Sequence, residues 1–313
     1  MFTQKRVRGP QLQNFPMKFV YHPGYAVDLG KHPFRTQKYP LLKKALEERL
    51  GVREFAEPEF FGWERFEKFL VPEYLEDLRE AEVTWRTERS ELPVRRDVIF
   101  WQAVGAEGTW LAVQLAKEEG AAFHVGGGLH HAFPHHAEGF CYINDIAYGV
   151  WRALGEELFE KIAVVDLDLH QGNGTAYYFN RYFKDERVFT LSIHEEENYP
   201  WPKERSTLDV GLEWHTPPER YFELLEEALR RVEEWGPELV VYQAGVDVHE
   251  TDLLGHQDLG DEDIRRRDER VFEMARRAGA AVVITLGGGY PQPWEKIVEL
   301  HFRTAEALLK HCA

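Results

Sequence analysis

A chain of 313 residues that is 43% hydrophobic and 29% charged can bury a large core, and no run in it has the length and apolarity of a membrane span. Its formal net charge of −16 excludes a general nucleic-acid binder, which needs a basic field, and favours cationic partners such as lysine-rich segments or polyamines. The two cysteines, Cys141 and Cys312, exclude a disulfide framework and suit a reducing compartment, the cytoplasm.

Residues 1–16 carry Lys5, Arg6 and Arg8 without an acid but lack the apolar core of a secretory signal. They read as a disordered extension, or an upstream start choice, ahead of a single catalytic domain over 17–313. A strand-like segment follows Met17. Helical spacing runs over 40–50 and stops at Gly51; residues 69–71 read as extended, and Pro72 opens another helix. The pattern then alternates. Helices are expected at 110–119, 145–154, 218–235, 264–278 and 294–310, and strands at 121–125, 162–167, 188–193, 239–243 and 281–286. Without a linker, repeat or low-complexity tract, this predicts one α/β domain with a mostly parallel sheet and helices on both faces. In such sheets the ligand crevice lies at the strand C-termini.

The strand over 162–167 turns acidic where it should end, in Asp166-Leu167-Asp168-Leu169-His170. Alternation along a strand would project Asp166, Asp168 and His170 to one side, the later two nearest the crevice. A helix-capping carboxylate explains one Asp there, but not three ionisable groups at period two. A second apolar run ends at Asp247; alone, that acid reads equally well as turn chemistry. With the tandem His130-His131, these two segments offer the nitrogen and carboxylate donors of a catalytic zinc, which takes three protein ligands and keeps a position open for water and substrate. Tandem His130 and His131 follow the glycine run Gly126-Gly127-Gly128 and suit paired acid and base work. A phosphate-cradling loop is the rival reading of such glycines, but no P-loop or dinucleotide fingerprint accompanies them. His135 and His136 have no partner motif and read as a solvated loop. So does the run Glu195-Glu196-Glu197, whose alternative is a patch that attracts cations. An arginase-like dimanganese site would want carboxylates two residues after His170 and two before Asp247, where Gly172 and Gly245 stand.

Five segments resemble, in order, the motifs of the zinc-dependent histone deacetylase family of the arginase/deacetylase superfamily. They are Gly126 to His131, Glu138-Gly139-Phe140-Cys141-Tyr142-Ile143-Asn144, Asp166 to Gly174, Ala244 to Asp247, and Leu286-Gly287-Gly288-Gly289-Tyr290. The form His170-Gln171-Gly172-Asn173-Gly174 and the segment from Asp252 to Phe272 are most similar to the class IV branch and to bacterial deacetylase-like proteins.

The resemblance implies a single-domain arginase/deacetylase-type fold and hydrolysis of an acyl-lysine amide by metal-activated water. Asp168, His170 and Asp247 match the ligands of one Zn²⁺ per chain. His131 matches the general base, His130 its neighbour oriented by Asp166, and Tyr290 the donor to the oxyanion. Gly139 and Phe140 match the wall of the acyl-lysine channel. Asp166, Asp168, His170, Ser192 and Ile193 match a K⁺ site made mostly of backbone carbonyls. The implied substrate is an acetyl- or longer acyl-lysine in a protein or peptide, since class IV relatives include long-chain deacylases. An acetylpolyamine or other small amide is the alternative. A non-catalytic acyl-lysine binding module is the reading from a different class, and the complete proton-transfer set disfavours it. Many relatives carry Asp where this chain has Asn173 and a second His where it has Gln171. The partner behind His131 is therefore expected to be neutral, and Asn173→Asp to raise the pH at which His131 protonates.

Overall fold

The computed structural model describes residues 17–312; the expected N-terminal extension over 1–16 lies outside them. Seven strands form one sheet: β1 Lys18–Val20, β2 Ala121–His124, β3 Ile162–Asp166, β4 Val188–Glu195, β5 Leu208–Leu212, β6 Leu239–Gln243 and β7 Ala281–Thr285. Their order is β1-β2-β7-β6-β3-β4-β5, and every pairing is parallel. The cause is local. β3, β6 and β7 are runs of β-branched and aliphatic residues, which suit strands covered on both faces. Accordingly β2, β3, β4 and β6 are buried at every residue. The edge strand β5 instead alternates half-buried Leu208 and Val210 with exposed Asp209 and Gly211.

The helices are α1 Lys38–Ala45, α2 Pro72–Glu80, α3 Trp85–Glu88, α4 Arg96–Glu119, α5 Asp145–Gly155, α6 Asn173–Tyr177, α7 Pro218–Trp235, α8 Asp261–Ala278 and α9 Lys296–Cys312. α4, with α5 against it, packs on β1, β2 and β7, while α7 packs on β4 and β5 and α8 on β6 and β7. α7 shows why: Tyr221, Phe222, Leu225, Leu229 and Val232 form one apolar stripe, and Gly236 in the left-handed region ends the helix.

The expected alternation of helices and strands is present, with differences that have physical reasons. α4 begins at Arg96 rather than near 110, because Val98 to Thr109 is buried almost all round and carries no polar stripe to mark it as helix. Residues 69–71 are not a strand; they follow a 3-10 turn at Trp63–Phe66, and the Val71 amide donates to Pro134 O at 2.9 Å. β3 stops at Asp166, so Asp168 and His170 sit in the turn beyond it rather than at alternating strand positions. The consequence for function lies in the strand order. β2, β7, β6 and β3 are neighbours, so the loops at their C-terminal ends, which carry residues 126–131, 286–290, 244–247 and 167–170, meet at one edge of the sheet.

Candidate active site

Each of these loops is held from behind by a buried polar group. Asn144 caps α5 by accepting from the Ala147 amide at 2.8 Å, and its own amide donates to His130 O at 3.1 Å. Asp145 accepts from the Gly128 and Leu129 amides at 3.1 and 2.7 Å and from the Thr109 hydroxyl. Asp145→Ala would strand two buried amides and is expected to cost about 2–4 kcal/mol of stability. Urea unfolding measures this, and a loss under about 0.5 kcal/mol would remove the clamp from the account. Arg267, fully buried on α8, donates to Gly245 O at 2.6 Å and Leu167 O at 3.3 Å, tying the ends of β6 and β3 together. Buried Lys38 donates to Gly287 O at 2.8 Å, and Asp252 accepts from the Tyr290 amide at 2.6 Å. No sequence signal marks Lys38 as a site residue, and Arg267 is marked only as part of the segment from Asp252 to Phe272.

Asp168, His170 and Asp247 are buried, and their ligand atoms lie within 4.8 Å of one another, the one such group of three or more among the described residues. His170 Nδ1 is 3.3 Å from Asp168 Oδ1 and 3.0 Å from Asp247 Oδ2. Burial opposes a charged imidazole, yet these two carboxylates carry His170 up to about 10. Burial and the Asp168 charge raise Asp247 to about 6. A field that draws a proton onto His170 against desolvation is a field that suits a cation. Space agrees. A Cβ at Gly288 would lie 2.5 Å from Asp247 Oδ2 and 2.8 Å from Asp168 Oδ2, so only glycine lets this loop close over the carboxylates. A Cβ at Gly172 would run into Asp166 Oδ2 and one at Gly245 into Asp168 Oδ2, so neither position has space for a side chain.

The two histidines are pushed apart in proton affinity. His130 Nδ1 is 2.8 Å from Asp166 Oδ2, and although burial opposes it, the Asp166 and Asp168 charges raise His130 to about 9. His131 Nδ1 is 2.8 Å from Asn173 Oδ1; burial, then the charges of His130 and His170, hold it well below the usual histidine range. Divergent titration of neighbouring groups is what separates an acid from a base. Burial and the nearby Asp168 and Asp247 push the Tyr290 phenol far up, so it stays a donor. Its ring stands 6.5 Å from that of Phe34 and 6.1 Å from that of Phe140. His130, His131, Phe140, Asp168, His170 and Tyr290 all line one narrow cavity of about 20 Å³ that opens to solvent. Gly139 and Phe140 have φ of 50° and 67°, and Phe140 is held there by its amide to Ser90 O and its carbonyl to Gln102. Asp166 lies opposite Ser192 in the β3–β4 register, with Ile193 next along β4.

The family model described as the histone deacetylase domain matches residues 32–305 of this chain. The chain belongs to the histone deacetylase family. It is 35% identical over 295 residues to an uncharacterized protein of Picosynechococcus sp., covering 92% of this chain and 96% of that one. Histone deacetylase 2 of Arabidopsis thaliana is 34% identical over 64% of this chain and 51% of its own length. The acetoin utilization protein AcuC of Staphylococcus aureus is 32% identical over 56% of this chain and 47% of its own. The chain thus spans about half the length of these two named relatives.

Within this histone deacetylase-family domain, two loops expected to be solvated are not. His136 is buried, its ring stacked on Phe133 at 4.5 Å and its Nε2 3.1 Å from Glu138 Oε2, while His135 is half-buried. Glu195 is fully buried at the end of β4, taking hydrogen bonds from Asn198, Gln257 and both the amide and ring of His256; only Glu196 and Glu197 are exposed. Local sequence could not show this, because the His256 and Gln257 partners are more than 60 residues away. The partner behind His131 is a neutral amide as expected, but Asn173 Nδ2 donates onward to Glu138 Oε1 at 2.7 Å. Asn173→Asp would therefore set two carboxylates against each other, which opposes ionisation of the new one and counters the expected rise in the protonation pH of His131. Sequence reasoning also misses Tyr199. Its ring lies 5.1 Å from His131 and 6.2 Å from His170, and an aromatic between an acidic run and a proline is its only trace in the sequence.

Proposed function

We propose that this protein is a zinc-dependent amidohydrolase that removes acetyl or longer acyl groups from lysine side chains. What supports this reading is the convergence at one crevice of the Asp168, His170 and Asp247 donors with two histidines of opposed proton affinity and the half-buried Tyr290. When bound by those three donors, zinc supplies a Lewis acid that polarises the acyl carbonyl and makes water more acidic.

The chain's own residues do the rest. His131, neutral and with Nδ1 turned to Asn173, presents Nε2 to take a proton from the attacking water and later return it to the leaving amine. His130, held by Asp166, hydrogen-bonds the same water. Tyr290 donates to the acyl oxygen as negative charge develops on it. Phe140 offers an apolar wall to a neutral acyl-lysine stem, with Phe34 and Tyr290 beside it. A K⁺ ion on the backbone carbonyls of Asp166, Asp168, His170, Ser192 and Ile193 would brace the ends of β3 and β4, a reading supported by the pairing of Asp166 with Ser192 in the strand register. Two cysteines, too few for a disulfide framework, suit activity in the reducing cytoplasm.

The net charge of −16 favours a second substrate class, acetylpolyamines. The test is turnover by zinc-loaded protein of acetyl-lysine peptides, long-chain acyl-lysine peptides and acetylspermidine. At least one acyl-lysine peptide is expected to show the highest kcat/KM. A clear advantage for acetylspermidine over every peptide would reverse the ordering, and binding of acyl-lysine peptides without any turnover would favour a binding module.

A further inference from the structure

The chain carries a neutral amide, Asn173, behind His131, yet a carboxylate stands directly behind that amide. His131, Asn173 and Glu138 form a continuous buried chain: Nδ1 to Oδ1 at 2.8 Å, then Nδ2 to Oε1 at 2.7 Å. The other Glu138 oxygen, Oε2, takes hydrogen bonds from Arg89 and from His136 Nε2. We propose that Glu138 is a positioning residue for the reaction, a carboxylate set one residue further out that acts on His131 through Asn173. This rests on the reading of His131 as the general base.

The argument is one of donors and acceptors. An ionised carboxylate only accepts, so Glu138 compels Asn173 to present its NH₂ outward and its carbonyl inward. A carbonyl also only accepts, so the His131 nitrogen facing it must carry the proton. The tautomer that results leaves Nε2 unprotonated and free to act as a base. Without Glu138 nothing in this chain of bonds decides which way the amide faces, and the flipped amide would draw the proton to Nε2. The arrangement stays charged because its neighbours favour the anion: burial opposes ionisation, but His136, Arg89 and Asn173 outweigh it and hold Glu138 at about 2. The remaining group near Glu138 is the Tyr199 hydroxyl, and His131 is faced by His130, His170, Asp168 and Tyr199. Glu138 also immediately precedes Gly139 and Phe140, so the same loop orients the base and forms the channel wall.

Moving the charge tests this. Glu138→Gln, which removes the carboxylate, and Asn173→Asp, which sets two carboxylates in contact, are each expected to lower kcat about tenfold to a hundredfold, with KM and zinc content near wild type. In the double variant the new amide at position 138 can donate to the new carboxylate at position 173, which then meets His131 directly, so kcat is expected to recover to within severalfold of wild type. Losses that multiply in the double variant, or single variants with wild-type kcat, would overturn the proposal. A readout independent of turnover is the ¹⁵N spectrum of the histidine rings, with the His131 signals assigned by their loss in His131→Phe. Wild type is expected to show His131 protonated at Nδ1, and Glu138→Leu to show a mixture or the other tautomer. An unchanged Nδ1–H tautomer in Glu138→Leu would sink the positioning role whether or not the protein hydrolyses acyl-lysine, whereas a shifted tautomer in a protein without turnover would sink only the assigned reaction.

Discussion

Alanine in place of Asp168, His170 or Asp247 is expected to abolish both tight metal binding and turnover. The site offers three buried donors within 4.8 Å, and Gly172 and Gly245 have no space for side chains that could substitute. With three ligands there is no redundancy, and a structural fourth would close the position that water and substrate need. Removal of either Asp also leaves His170 with one carboxylate instead of two, weakening the field that makes the pocket cation-seeking. Elemental analysis of the purified protein should find about one zinc per chain in wild type and a strong deficit in each variant. Two firmly held ions per chain, with activity depending on both, would instead support a dimetal hydrolase.

Tyr290→Phe is expected to lower kcat by roughly 10²–10³-fold and leave KM nearly unchanged. The Tyr290 hydroxyl stays protonated because burial and the Asp168 and Asp247 charges disfavour a phenolate, so it can donate but not accept charge. Its backbone is set from both directions, with the amide on Asp252 and the carbonyl receiving the Leu253 amide at 3.1 Å. A donor held this firmly gains strength only as the acyl oxygen becomes negative, which is why the loss should fall on kcat. A variant with full kcat would take Tyr290 out of the chemistry, and a rise confined to KM would make it a binding residue.

Membership of the histone deacetylase family was legible in the sequence. Acids and histidines at the ends of apolar runs, glycine runs beside them and a tyrosine after the second run carry the resemblance, because those side chains have few structural uses in such density. The alternation of elements was legible for the same local reason, except in α4, where all-round burial erases the polar stripe, and at 69–71, where an apolar tripeptide packs in a turn instead of pairing as a strand. Gly172 and Gly245, which in the sequence stand where a dimetal site would want carboxylates, are crowded positions in the fold.

What the tertiary structure alone decided is which groups stand behind the reactive ones. Lys38 meets Gly287, Arg267 meets Gly245, and Glu138 meets Asn173 across separations of 249, 22 and 35 residues. Such partners carry no local signature, because a hydrogen bond between distant segments depends on strand order and loop path and leaves no periodic trace. The same holds for His136 and Glu195, whose charged or polar side chains read as solvent-facing until the fold supplies buried partners. Residue type thus carried the motifs, and only the parallel sheet, by bringing four strand ends together, decided which of their side chains meet.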